Sequence, residues 1–111
     1  MASGDRLTLE QMLKTARRLR SLAHERGRDA FDADGIARLA MMHLIQRLGE
    51  AASRLSADFR FDHPEFPWTE MVGLRNRLVH TTIDLDPEIV WRVASEDVEP
   101  VIAALERALA D

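Results

Sequence analysis

The densest set of side chains able to do chemistry lies in Gly73-Leu74-Arg75-Asn76-Arg77-Leu78-Val79-His80, where two guanidinium groups, an amide and an imidazole fall within six positions. Two guanidinium groups hold phosphate or carboxylate, and an imidazole near its ordinary pKa moves protons at neutral pH. On a helix turning about 100° per residue, Asn76 and His80 share a face, while Arg75 lies some 140° from His80. One straight helix therefore cannot aim Arg75 and His80 at one atom. They converge only if the helix ends near His80 or if a second copy of the segment faces the first across a two-fold axis. Taken by itself, such a run also fits a solvated helix C-terminus, where cations favour the negative end of the dipole.

No other site competes. His24, His43 and His63 stand apart, without a second histidine or a carboxylate at ligand spacing on the same face, and the four histidines form no zinc pattern. The chain has no Cys, which removes thiolate metal sites, thiol nucleophiles and redox pairs. A Gly-rich phosphate loop and a Gly-x-Ser-x-Gly elbow are also missing, and the hydroxyls beside His80 are Thr81 and Thr82. No metal site is expected.

Helices must position these groups. Thr8 followed by Gln11 reads as a capping box, so the first helix is expected to start there. Leu9, Met12, Leu13, Ala16, Leu19 and Ala23 recur at steps of three and four to form its apolar stripe, and Gly27 offers a left-handed stop. After an acidic turn around Phe31, Asp32 or Asp34 can cap a central helix reaching about Leu55. Its apolar positions from Ile36 to Leu55 cover more than one stripe, so it is expected to bury two faces, one of them a candidate for a partner chain. From Ser56 to Pro67 the pattern breaks down into turn chemistry. Pro67 can open a third helix, to about His80. Asp86 before Pro87 caps a fourth, with Val90, Val93, Ala94, Val98, Val101, Ile102, Leu105 and Leu109 as its buried side and a kink expected at Pro100. No strand-like alternation appears. The expected fold is all-α, one domain over residues 1–111, a bundle of four main helices with the last one bent.

Charge is uneven along the chain. Residues 1–28 carry seven cations against three carboxylates, and residues 84–111 carry eight carboxylates against Arg92 and Arg107, within a net charge of -4 for 111 residues. That net charge argues against a uniformly basic nucleic-acid binder. The longest apolar run, Val101 to Leu105, is five residues, whereas a membrane span needs about 20. Asp5 and Glu10 interrupt the N-terminal segment, so a secretion signal is not expected and the cytoplasm is the default compartment.

Arg75-Asn76-Arg77-Leu78-Val79-His80 resembles the Arg-x4-His signature of HEPN domains, in particular the HepT-like branch. The surroundings are similar in order and spacing: Leu48-Gly49-Glu50-Ala51-Ala52 and Leu55-Ser56, then His63-Pro64-Glu65 with Pro67-Trp68, then Ile83-Asp84 and Ile89-Val90-Trp91. The resemblance covers nearly the whole chain. It implies a HEPN-like bundle assembled as a symmetric homodimer and a metal-independent ribonuclease toxin that uses no cofactor. It also implies a cognate minimal nucleotidyltransferase as antitoxin. Arg75 and His80 of both chains would line the dimer cleft as catalytic residues, with Asn76 in support.

The chain departs from the family pattern at the end of the motif. Members of this family commonly carry His-x-Tyr there, and that tyrosine receives AMP from the nucleotidyltransferase. Here the sequence reads His80-Thr81-Thr82, with no tyrosine among the 111 residues. Three outcomes stay open: Thr82 or Thr81 is modified instead, the partner inhibits by binding alone, or the domain is a non-catalytic helical module for a nucleotidyltransferase or nucleotide. A plain homodimeric bundle is a further alternative.

Overall fold

The computed structural model of the chain describes residues 2–33, 35–66, 68 and 86–110, and every regular element among them is helical. Helix α1 (Ser3–Ala33) lies along α2 (Gly35–Arg54) and along the C-terminal helix α5 (Val98–Ala110). Between them come a short α3 (Ala57–Asp62), α4 (Pro87–Arg92) and a π turn at Val93–Asp97 that runs straight into α5.

Helix α1 buries the expected stripe: Leu9, Met12, Ala16 and Leu19 are fully buried, with Leu13 and Ala23 beside them. It begins at Ser3, earlier than the capping box predicts. Thr8 lies inside the helix, and its hydroxyl donates back to the Gly4 carbonyl at 3.0 Å, so it caps nothing. Asp5 sits in the first turn, where the helix dipole favours a carboxylate, and is buried because it accepts from the Ser56 backbone N–H (2.9 Å) and hydroxyl (2.6 Å). Gly27 does interrupt α1, at φ 76° and ψ 173°, a conformation open to glycine. The helix resumes immediately. The expected acidic turn around Phe31 is therefore helical, which carries Phe31 into the core, and Asp32 pairs with Arg28 instead of capping α2.

Helix α2 runs as predicted and buries one broad face through Ala37, Met41, Leu44, Ile45, Leu48, Ala51 and Ala52, while Leu39 is 66% exposed. Among the described residues of α2 no second face is buried. The Ser56–Pro67 connection contains α3, which the sequence pattern does not reveal. Ser56 caps it, its Oγ accepting from the Phe59 N–H at 3.1 Å while donating to Asp5. One serine thus closes the α2–α3 corner and ties it to the start of α1.

The Asp86-Pro87 cap forms as read: Asp86 Oδ1 accepts from the Glu88 N–H at 2.9 Å. The expected kink at Pro100 takes another form and another place. Proline has no N–H for the Glu96 carbonyl, and its ring crowds that carbonyl. The helix widens one turn earlier, the Val98 N–H reaching the Val93 carbonyl five residues back, and Pro100 itself is helical. Val98, Val101, Ile102, Ala104, Leu105 and Ala108 then close one core with α1, α2, Phe59 and Phe66. The third helix predicted from Pro67 to His80 lies outside the described residues except for Trp68. No helix among the described residues is long and apolar enough to cross a membrane.

Candidate functional site

Arg75, Asn76, His80 and Thr82, together with Arg77 and Thr81, all fall in residues 69–85, outside the described residues. What the structure does describe is how the chain is held on both sides of them. Each side is anchored by aromatic rings and by a charged or polar contact.

On the upstream side, Phe59 and Phe66 are buried and Trp68 packs on both, stacked on Phe66 (centroids 4.7 Å apart) and edge-on to Phe59 (5.9 Å). The Trp68 indole N–H donates to the His63 carbonyl at 2.9 Å, and the Arg60 guanidinium lies 5.7 Å from the Trp68 ring centroid while donating to the Ala52 carbonyl at 2.8 Å. His63 does not stand apart, as its sequence position suggests. It stacks on Phe59 at 4.2 Å, and its Nδ1 lies 3.0 Å from Glu65 Oε1. The Glu65 carboxyl is held below the usual glutamate range, first by its own backbone N–H and then by His63. These ring contacts and the α3 cap make His63 a structural residue of the α3 end.

On the downstream side, Arg28 links the last turns of α1 to the first turn of α4. Its Nε donates to Asp32 at 2.9 Å, and its two terminal nitrogens grip both oxygens of Glu88, one at 3.1 Å. The guanidinium also lies over Phe31 and Trp91, 5.6 and 5.8 Å from the ring centroids, and those rings pack at 5.3 Å. Bonding to Glu88, then Asp32, raises the Arg28 pKa, and Arg28 in turn holds Glu88 below its usual range. Such an exposed pair adds little stability. Its fork geometry nonetheless fixes the register in which α4 starts, immediately after residues 69–85.

The basic N-terminal stretch is divided by packing in a way the sequence does not show. Arg17 and Arg20 face the acidic C-terminal helix, reaching Glu106 at 3.0 Å and Glu99 at 3.2 Å. Lys14 and Arg18 instead face α2, and with Arg47, Gln11, Thr15 and Leu44 they line a cleft of about 390 Å³. The signal for it is the i, i+4 spacing of Lys14 and Arg18, but Arg47 joins them only through the α1–α2 contact.

A protein of Methanocaldococcus jannaschii named "Putative RNase" is 38% identical over 69 residues, covering 62% of this chain and 63% of its own length. "Probable ribonuclease HepT" of Thermococcus cleftensis is 30% identical over 77 residues, covering 69% of this chain and 70% of its own. The chain thus spans a little under two thirds of the first relative's length. No solved structure matches the chain. Residues 12–108, from the first turns of α1 to the last of α5 and across the whole Arg75–His80 motif, match the family model described as "Ribonuclease HepT-like", and the chain belongs to the HepT-like ribonuclease family.

Proposed function

We propose that this protein is a metal-independent endoribonuclease, the toxin half of a toxin–antitoxin pair, acting as a symmetric homodimer with Arg75 and His80 of both chains at a shared cleft. The observation that carries the reading is the family match over residues 12–108, a range that includes Arg75-Asn76-Arg77-Leu78-Val79-His80. Cleaving RNA without a metal requires a base for the 2′-hydroxyl proton, an acid for the leaving 5′-oxygen and a cation for the charge that builds on the phosphoryl oxygens. The 2′-oxygen then bonds to phosphorus as the phosphorus–5′-oxygen bond breaks, leaving a 2′,3′-cyclic phosphate and a free 5′-hydroxyl. One motif supplies one suitable histidine, and two copies supply two. An imidazole titrating near pH 6.5 serves neutral in one chain and protonated in the other. Arg75 holds the phosphate by two-point contact and Asn76, which helical spacing would put on the face of His80, orients imidazole or phosphate. The test is cleavage of a mixed-sequence RNA by the purified protein in EDTA. Cleavage that persists supports the reading, and activity that disappears on chelation and returns with a divalent cation removes it.

The nucleotidyltransferase partner belongs to the same proposal, and the missing tyrosine decides how it acts. A threonine hydroxyl at Thr82 lies a whole ring closer to the backbone than a phenol does. It is also far less acidic than a group titrating near pH 10, so transfer of AMP to it is disfavoured twice. Neutralisation is then by a non-covalent complex that covers the basic groups at Arg75 and Arg77. Intact-mass spectrometry after co-expression with a neighbouring nucleotidyltransferase is expected to find the unmodified mass. An added AMP on the Thr81-Thr82 peptide would overturn this.

A further inference from the structure

The geometry points to the Lys14–Arg18–Arg47 cleft between α1 and α2 as a second contact surface, a grip for the phosphate backbone of a single-stranded RNA. It rests on the ribonuclease reading for the identity of the strand, and on the cleft itself for everything else. Every polar side chain in the lining can donate a hydrogen bond: the Gln11 amide, the Lys14 ammonium, the Thr15 hydroxyl and the guanidinium groups of Arg18 and Arg47, above a floor supplied by buried Leu44. No carboxylate is among them. Among the described residues none of the three cations has an ion-pair partner, whereas Arg6, Arg17, Arg20 and Arg28 on the same helix all do.

Within the cleft the cations repel one another. Lys14 and Arg18 are like charges at i, i+4, a spacing that destabilises a helix, and α2 brings Arg47 to the same cleft. A bound anion adds an attraction to each of the three cations that offsets their mutual repulsion. The kind of anion follows from the rest of the lining. A site for a free nucleotide is mostly apolar and places a surface against the base, and here the lining offers Leu44 as its one apolar residue and no aromatic ring. What remains is phosphate recognition without base recognition. Lys14 and Arg18 stand about 6 Å apart along the α1 axis, so the cations meet successive phosphates of a strand laid along the groove. Such contacts position a strand and carry no sequence information.

The experiment measures binding of a 2′-O-methyl RNA oligonucleotide, which lacks the attacking hydroxyl, to the full chain by fluorescence anisotropy across a range of salt. The triple variant Lys14→Ala, Arg18→Ala, Arg47→Ala is compared with the wild type, with Arg26→Ala as an exposed cation outside the cleft, and with Arg18→Lys, Arg47→Lys, which keeps the charges. Each phosphate contact on a single strand contributes about 0.7 to the slope of log affinity against log salt, so the triple variant should lose about 2 from that slope and bind roughly 10- to 100-fold more weakly near 0.1 M salt. The lysine variant should retain most of the affinity, Arg26→Ala nearly all of it, and all variants their helical circular dichroism. Undiminished affinity in the triple variant, or no oligonucleotide binding by the wild type, overturns the proposal. So does a triple variant that loses ATP binding yet holds the oligonucleotide, because the cleft would then be a nucleotide site. A wild type that binds the oligonucleotide through this cleft but cleaves no RNA sinks the ribonuclease reading alone. Cleavage in EDTA by a triple variant of full affinity sinks the cleft alone.

Discussion

His80→Ala is expected to abolish RNA cleavage, lowering the turnover rate by about 100-fold or more, which is what loss of a positioned proton-transfer group costs. In a symmetric pair the substitution strikes twice, removing base and acid together. A residue that served as acid alone would leave the 2′-oxygen attack intact. Arg75→Ala should be comparably damaging, because a cation that stabilises developing charge at a water-poor site contributes about 100- to 1,000-fold. His80→Ala should fall in turnover with little change in oligonucleotide affinity, Arg75→Ala should lose turnover together with the affinity of its phosphate contact, and the α1–α2 cleft variant should lose affinity with little change in turnover. Both should keep their helical circular dichroism, since the core that closes α1, α2 and α5 is assembled from other residues. Full activity after either substitution would remove the proposed chemistry, whichever fold the motif adopts. Sedimentation at micromolar concentration completes the test, because a monomer that cleaves RNA at full rate contradicts a site shared across a two-fold axis.

What was legible in the sequence was whatever depended on neighbours one or two turns away. The apolar spacing from Leu9 to Ala23 corresponds residue for residue to a buried face; of the C-terminal stripe Val90, Ala94, Val98, Val101, Ile102 and Leu105 are buried as read, Val93 and Leu109 only partly, and Ala104 and Ala108 are buried besides. Asp86-Pro87 caps its helix as such a pair should. Features set by distant partners were not legible. Thr8-x-x-Gln11 has the spacing of a capping box, yet α1 starts earlier because Asp5 finds Ser56, 51 positions away, in the folded chain. Helix α3 is six residues long, too short to show a period, and its cap serine doubles as a partner for Asp5. Pro100 announced a distortion but not its form, because relief can come from any of several carbonyls in the preceding turn. The same division applies to function. The Arg75–His80 motif was visible because its members are adjacent, whereas the all-donor cleft was hidden. The charges of α1 look alike in sequence until α5 neutralises Arg17 and Arg20 and α2 brings Arg47 beside Lys14 and Arg18.

Phe31→Ala is expected to be the most destabilising single change outside the motif, at about 3–5 kcal/mol, the range for removing a fully buried aromatic side chain and leaving a cavity. Phe31 is fully buried and packs against Trp91 at 5.3 Å, with the Arg28 and Arg38 guanidinium groups 5.6 and 5.1 Å from its ring centroid. Losing the ring removes its buried surface and both cation contacts at once, and it undercuts the Arg28 grip on Glu88 at the start of α4. Against a total of about 5–15 kcal/mol for a domain this size, such a loss is a large share of the stability. The melting temperature should fall by more than about 10 °C, since each kcal/mol is worth several degrees in a domain of roughly 100 residues. Two controls separate packing from chemistry. Phe61 is 85% exposed, so Phe61→Ala should change stability by no more than about 0.5 kcal/mol. Phe31→Leu restores most of the volume but not the π face, and should recover more than half of what alanine loses. If leucine were as damaging as alanine, the cations over the ring, not its volume, would hold this corner together. A Phe31→Ala protein that melted with the wild type would show that the resumed helix after Gly27 is not part of the cooperative core.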